Sequence, residues 1–433
     1  MTVSTASADS TGLLGWWRTA PLAAQRALVA GSLGWMLDAF DVMLYALVLA
    51  SLMLDLGMTK TTAGLLGSVT LLASAAGGMI FGVFADRYGR TRALMASILI
   101  YSVFTGACGF AQTVGQLAVF RILLGLGMGG EWASGAALIS ETWPAANRGK
   151  ALGVMQSSWA IGYGSAAIVT ALVLPVWGWR AVFFVGVLPA FFTAWIQRRV
   201  EEPEIWRTRQ TARTVSPLGG FGEMFRGDLL PVTVAVTLMN ACTMFAWWGF
   251  NLWIPAYLSL PVASGGIGLT TYRLSVPFVQ DVQIPLMTLF IVTLNVGMWF
   301  GYVTFGFIAD AVGRKRTYVF YLVTAAALIL AYSTTRNPLA LLVLGPFVAF
   351  FGTGYFSGFG AVTAEIYRTE IRATAQGFTY NIGRVASALA PFLVGSIAQT
   401  HGFGMALSTC AIAFALAALS WFFIPETIGK VLE

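Results

Sequence analysis

Apolar runs of about 18–25 residues, separated by short polar stretches, repeat along the whole chain, and about 20 helical residues cross the hydrocarbon of a bilayer. Twelve such runs lie near 27–51, 62–84, 93–111, 116–140, 151–174, 180–197, 229–257, 284–309, 317–334, 339–363, 373–399 and 402–424. The pattern predicts an all-α membrane protein: twelve transmembrane helices in two pseudo-symmetric six-helix bundles. Residues 1–26 form an N-terminal segment, 27–197 the first bundle, 198–228 a linker, 229–424 the second bundle and 425–433 a tail. The linker is marked by Arg198 and Arg199, Glu201 and Glu202, Ser216 and Pro217, and Gly219 and Gly220.

The polar positions between runs repeat as well. Gly82, Asp86, Gly89 and Arg90 recur as Gly306, Asp310, Gly313 and Arg314, an offset of 224 residues. Glu141 and Arg148 recur at the same offset as Glu365 and Arg372. Two motifs in one register point to a duplicated half, and a parallel repeat of this size in a membrane chain suggests a transporter.

Charge sets the orientation. Nineteen Lys and Arg fall on the N-terminal side of the runs and four on the other, so both termini are expected in the cytoplasm, as an even number of spans requires. The expected location is the inner (plasma) membrane. Only 10 % of residues are charged and 58 % are hydrophobic, against roughly 25 % charged in soluble domains, so a water-facing surface could not be covered. The net charge of +7 does not indicate nucleic acid, because the cations sit in loops rather than along a basic helix. Cys108, Cys242 and Cys410 lie in apolar runs without metal-ligand or disulfide spacing, so neither metal nor cofactor is implied. The N-terminus lacks a basic n-region, and the first run is read as a retained anchor.

Five charges fall inside runs: Asp38 and Asp41 in the first, Arg121 and Glu131 in the fourth, Arg384 in the eleventh. Each costs about 2.5–3.5 kcal/mol at a helix centre, so such residues pair or line a polar cavity. Asp38 and Asp41 are three apart and share a helix face; close carboxylates removed from water repel, which makes them a candidate proton site. The alternative is a helix cap or a permanent partner of Arg121. Arg384 can grip a carboxylate through two parallel hydrogen bonds without losing its charge, or serve as an internal counter-ion. At the 224-residue offset Arg384 corresponds to Ala160 and Arg121 to Gly345, so neither is a repeated packing residue. Arg121 is expected as a structural or proton-relay partner of the first-run acids. Glu131, about 15 Å further along the helix, is a second proton site or a structural acid. Asn251 and Asn381 need partners in hydrocarbon and are candidate substrate ligands, with Tyr380 and Tyr355 beside them. Phe245, Trp247, Trp248, Phe250 and Trp253 are read mainly as lipid-facing or interfacial, and Trp16 and Trp17 as an interfacial anchor.

Taken together, these residues resemble the major facilitator superfamily over essentially the whole chain, with the Gly82–Arg90 loop matching its most specific motif. The resemblance implies that fold, and loops that latch the two halves on the cytoplasmic face when the transporter is outward-open. It implies gating roles for Asp86, Arg87, Arg90, Asp310 and Arg314, with Glu141–Arg148 and Glu365–Arg372 as accompanying charge pairs. Asp38-Ala-Phe-Asp41 and Gly129-Gly-Glu131-Trp132 resemble signatures of proton symporters for aromatic acids, sialate and small carboxylates. Segments 200–206 and 425–433 are similar to those of sugar and organic-acid porters. The fifth run lacks the Gly-Pro core of drug/proton antiporters.

The expectation is proton-coupled uptake of a small organic anion (monocarboxylate, sialate or aromatic acid) by alternating access, with protons as coupling ion and the chain acting as a monomer in the bilayer. A sugar or polyol symporter, an organic-acid exporter and a non-transporting sensor are the rivals. An enzyme finds little material: nucleotide-loop, zinc-protease and serine-elbow motifs are absent, and the sole histidine is His401 in a turn.

Overall fold

The computed structural model describes residues 15–204, 207, 222–269, 273–275 and 283–427; the side chains of a few residues inside helices, Asp86 and Arg372 among them, lie outside the described set. The first half runs α1 (Gly15–Arg18), α2 (Leu22–Asp55), α3 (Lys60–Tyr88), α4 (Arg90–Cys108), α5 (Val114–Thr142), α6 (Ala145–Val185) and α7 (Pro189–Arg199). The second runs α8 (Leu229–Ser259), α9 (Leu286–Val312), α10 (Arg314–Thr334), α11 (Pro338–Thr353), α12 (Tyr355–Ile366) and α13 (Thr369–Ser420). Between α8 and α9 lies a short antiparallel pair, β1 (Arg273–Ser275) and β2 (Gln283–Pro285).

Ten helical stretches among the described residues are long and apolar enough to cross a membrane. Two of them, Asn147–Arg199 and Ala375–Ser420, exceed one crossing and are interrupted at Gly178 (φ 73°) and Gly402 (φ 81°). A positive φ costs a side-chain-bearing residue but not glycine, so these two positions can turn the chain where other residues would continue the helix. They stand 224 residues apart, and dividing the two long stretches there yields twelve segments. After the first break, Trp179 Nε1 and Arg180 Nη1 each meet Asp55 Oδ2 at 3.0 Å, which ties the far end of α2 to the turn.

The loop motifs repeat as geometry too. Gly89 (φ 116°) and Gly313 (φ 111°) introduce α4 and α10, and the exposed N–H groups of each helix start are covered by a distant carboxylate. Glu202 accepts from Thr91 and Arg92 at 3.1 Å each; Glu426 accepts from Arg314 at 2.9 Å and Lys315 at 3.1 Å. Glu202 and Glu426 are themselves 224 apart. A negative group at a helix N-terminus satisfies orphan donors and opposes the macrodipole, so each half carries its own copy of one cap.

Glycines let backbones touch within the bundles. A methyl group on Gly129 would sit 2.0 Å from the Ser74 carbonyl oxygen, and one on Gly77 would sit 2.1 Å from that of Leu126, so α3 and α5 meet backbone to backbone. Large apolar side chains such as Leu65, Ile80, Phe191, Phe307 and Phe422 are exposed on the outside, as a lipid-facing surface requires. The span-seven aromatics do not join that surface: Trp247, Phe250 and Trp253 are buried, because α8 packs along α13 and crosses toward α2. Trp16 and Trp17 pack on Trp143, with ring centroids 5.1 and 6.2 Å away.

The halves meet along α3 and α13 at one end. Lys60 N donates to Gln399 Oε1 at 3.1 Å, Lys60 Nζ to Ser264 O at 2.8 Å, and Phe392 N to Ser68 Oγ at 3.0 Å. Gly64 and Gly67 lie against Pro391. Toward the opposite end, where the loop motifs lie, Gly82 of α3 and Gly377 of α13 face open space. Among the described residues the hydrogen bonds between halves lie at the Lys60 end and mid-span, so the halves are joined there and part toward the loop end.

Candidate functional site

Midway along α2, Asp38 and Asp41 are both buried, 1 % exposed each. Glu131 of α5 reaches the same region: a methyl group on Gly34, one turn before Asp38, would meet its Oε1 at 2.5 Å. The carboxylate of Glu131 therefore lies over the α2 backbone and within electrostatic reach of Asp38. From α4, Thr105 Oγ1 lies 3.2 Å from Asp41 Oδ2, and the Tyr101 hydroxyl is buried without a hydrogen-bond partner among the described residues, within electrostatic range of all three acids. The sequence brought out the acids; it gave no reason to single out Thr105 or Tyr101 from other hydroxyls in apolar runs.

Arg384 approaches this cluster from the other half. It is half-buried on α13, and its Nη2 donates to Ser74 Oγ of α3 at 2.5 Å. Its Nη1 rests against Gly78, where a methyl group would stand 3.1 Å away. Asp38 lies within electrostatic reach of it, with no ion pair between the two. A guanidinium from the second half thus seats in a Ser74–Gly78 socket of the first. Ser74 has no distinguishing sequence context, so this contact was hidden until the halves were placed together.

Arg121 takes a different position from the one expected. Its guanidinium lies 4.0 Å from the centroid of Tyr45, and Nε donates to Thr70 Oγ1 at 3.0 Å. Among the described residues no ion pair joins it to Asp38 or Asp41. Tyr45 is one turn beyond Asp41 and intercepts the side chain, and a buried cation over a desolvated ring gains about 2 kcal/mol or more.

The other expected ligands divide. Tyr380 stacks on Trp132 of α5, centroids 4.5 Å apart and planes 8° apart, across the interface between halves. Asn251 Nδ2 contacts Met43 Sδ at 3.4 Å, also across the halves, while its Oδ1 is buried without a partner. Asn381 turns Nδ2 back to Gly377 O of its own helix at 2.9 Å. Tyr355 is buried in the second half against Phe356, with centroids 4.4 Å apart, and its carbonyl accepts from Tyr318. Trp159 of α6 joins the halves by meeting Trp35 at 4.6 Å and Trp248 at 5.9 Å.

At the loop end, Glu141 pairs with Arg90 at 2.9 Å and Glu365 with Arg314 at 3.2 Å. Arg314 also pairs with Asp310. Glu141 does not pair with Arg148, as the resemblance had implied. Arg90 opens α4 beside the end of α5 and occupies the carboxylate first, whereas Arg148 lies beyond the Pro144 turn. Arg87 lies over the Tyr88 ring at 5.5 Å. The side chains of Asp86 and Arg372 lie outside the described residues.

Three buried acids of the first half thus lie mid-span, with the Arg384 guanidinium of the second half reaching in beside them at Ser74 and half-buried aromatics toward the open end. The acids outnumber the guanidinium, so an incoming anion is best tolerated when protons neutralise part of that charge.

The sequence profile described as the Major Facilitator Superfamily matches residues 31–279 and 259–431. A Haemophilus influenzae protein named as a metabolite transport protein is 34 % identical, covering 94 % of this chain and 98 % of that one. The sialic acid transporter NanX of Escherichia coli is 31 % identical, covering 96 % and 98 %, and the cis,cis-muconate transport protein of Acinetobacter baylyi is 30 % identical, covering 90 % and 91 %. In shape, the chain is similar to a crystal structure of a D-xylose–proton symporter, with TM-score 0.72, 19 % identity, and 94 % and 99 % of the two chains covered.

Proposed function

The chain belongs to the major facilitator superfamily, and from that premise we propose that it is a secondary active transporter that takes up a small organic anion with protons by alternating access. One observation carries the reading: Arg384, half-buried, reaches across the interface between halves to Ser74, within electrostatic reach of Asp38. A neutral, sugar-like cargo has little use for a guanidinium placed there, whereas a carboxylate can take two of its N–H groups. Two of the relatives are named for sialic acid and muconate, both carboxylic acids.

The cycle follows from charge. With Asp38, Asp41 and Glu131 ionised, an added carboxylate raises the negative charge of a low-dielectric centre. Protonation of at least one acid removes that conflict and leaves Arg384 free to bind cargo. Inward movement of an anion against an inside-negative potential costs about 2.3 kcal/mol per charge per 100 mV, and one co-transported proton cancels it. The Arg90–Glu141 and Arg314–Glu365 pairs then act as gating groups at the loop end, with Asp86, Arg87, Arg148, Asp310 and Arg372 as their neighbours in that role. We place both termini and these loops in the cytoplasm, and the chain in the inner membrane, on the 19-to-four distribution of Lys and Arg. In that orientation the opening described here faces inward. Each chain carries both halves and the whole charge cluster, which supports a functional monomer.

The test is uptake of radiolabelled benzoate and lactate into proteoliposomes. Acidifying the outside is expected to accelerate uptake of a carboxylate and to be abolished by a protonophore. Uptake indifferent to an imposed pH gradient refutes proton coupling, and competition by xylose rather than by carboxylates refutes the anion reading.

A further inference from the structure

Trp132 and Tyr380 deserve a role that packing alone does not supply. They come from different halves, lie parallel at 4.5 Å, and both are half-buried rather than sealed in a core. Trp132 follows Glu131 directly; Tyr380 precedes Arg384 by one helical turn, about 6 Å along the axis, on the side of the open end. The ring pair therefore stands between the central charges and the mouth. Trp132 is held in orientation by its own Nε1, which donates to Gln156 Oε1 at 3.3 Å, and Tyr380 is backed by Phe359 at 6.0 Å.

We propose that Trp132 and Tyr380 form a cross-half slot that selects planar, conjugated carboxylates over saturated ones. This inference rests on the reading of Arg384 as the anion ligand. A carboxylate on Arg384 that extends toward the mouth places the rest of the molecule at the level of the two rings. With no cargo present the rings satisfy each other. Separating them by one ring thickness, about 3.5–4 Å, admits a flat π-system that stacks on both faces at once. A rocking motion of the halves changes this spacing directly, because each ring is carried by a different half. A puckered saturated ring fits the same opening less well and cannot replace the lost stacking. Occupancy of the slot then couples cargo shape to the distance between halves.

The experiment compares benzoate with cyclohexanecarboxylate, which match in charge and nearly in size. Binding to the purified full-length protein is measured by calorimetry, and folding of each variant is checked by its unliganded melting temperature. The wild type is expected to favour benzoate by roughly three- to tenfold, the equivalent of about 0.5–1.5 kcal/mol per stacked ring pair. Trp132→Leu and Tyr380→Leu should each bring the ratio toward one while cyclohexanecarboxylate still binds. Trp132→Phe and Tyr380→Phe, which keep a ring, should retain the preference although the first removes the bond to Gln156. An unchanged ratio in both leucine variants overturns the slot and leaves the anion reading intact. Loss of the preference in Trp132→Phe also overturns it, assigning the effect to the Gln156 bond. Binding of neither acid by the wild type overturns the slot together with the anion reading.

Discussion

Replacing Arg384 with Lys keeps the positive charge and removes the fork. In the structure Nη2 is engaged by Ser74 Oγ at 2.5 Å and Nη1 lies against Gly78, and in the proposed site the remaining donors take the cargo. An ammonium placed there retains the Coulombic attraction to Asp38 and to a carboxylate. It cannot hold Ser74 and present two parallel donors together. The difference is about one charge-assisted hydrogen bond, roughly 1.5–3 kcal/mol, or a ten- to 150-fold weaker Kd for benzoate. Calorimetry in detergent, at a pH where the wild type binds, measures this directly. Ser74→Ala is the control: it frees Nη2 from the socket without touching the ligand-facing donors, and its effect on Kd should stay within about threefold. A Kd for Arg384→Lys within threefold of wild type refutes the bidentate reading. A loss in Ser74→Ala equal to that in Arg384→Lys refutes it differently, since Arg384 would then act by holding the halves together.

Three further outcomes are expected. Arg121→Lys loses the Tyr45 face and the Nε bond to Thr70, and should lower stability by about 1–3 kcal/mol in melting experiments while the pH profile of uptake stays in place; a displaced profile puts Arg121 in the proton path. Lys60→Met removes the donor to Ser264 O and Ala398 O, and should increase labelling of cysteines introduced at the Lys60 end; unchanged labelling shows that this contact does not hold the end shut. Glu202→Ala and Glu426→Ala each uncap one helix start at a cost of about 1–2 kcal/mol, and similar melting shifts are expected from the two; a shift in only one breaks their equivalence.

The architecture was legible because its causes are local and periodic. Span length, the 224-residue repeat and the loop charges follow from residue type and spacing. The sequence already separates the runs at 174/180 and 399/402, and the structure breaks α6 and α13 there, at Gly178 and Gly402. Buried charge also announced Asp38, Asp41, Glu131 and Arg384 individually, since hydrocarbon gives such residues few other reasons to persist. What the sequence could not convey was partnership. Arg121 was matched to the acids because opposite charges attract, but Tyr45 and Thr70 stood in the way. Arg148 was matched to Glu141 by the family resemblance, and Arg90 reached the carboxylate from another helix. Ser74 looked like any serine in an apolar run. Tyr380 was singled out, but its stack on Trp132 joins positions 248 residues apart, a relation that no periodicity encodes.

The repeat divides the molecule into a symmetric rim and an asymmetric centre, and the division has a mechanical sense. At the loop end, each half carries the same positive-φ glycine, the same arginine on the same glutamate and the same distant carboxylate cap. Matched devices let the two halves move as similar rigid bodies, so that neither open state is favoured by a large local difference. At the centre the equivalence ends: Arg384 corresponds to Ala160, Arg121 to Gly345 and Glu131 to Tyr355. The buried acids gather in the first half and the guanidinium comes from the second. In the proposed cycle proton and anion are received on opposite sides of the moving interface, so the charge of one acts on the other most strongly when the halves are brought together. A centre duplicated like the rim would place acid and arginine within each half and pair them permanently, whatever the state of the transporter. On the proposed function, divergence at the centre is what would make the proton–anion interaction depend on conformation, and that dependence is the physical requirement for coupling.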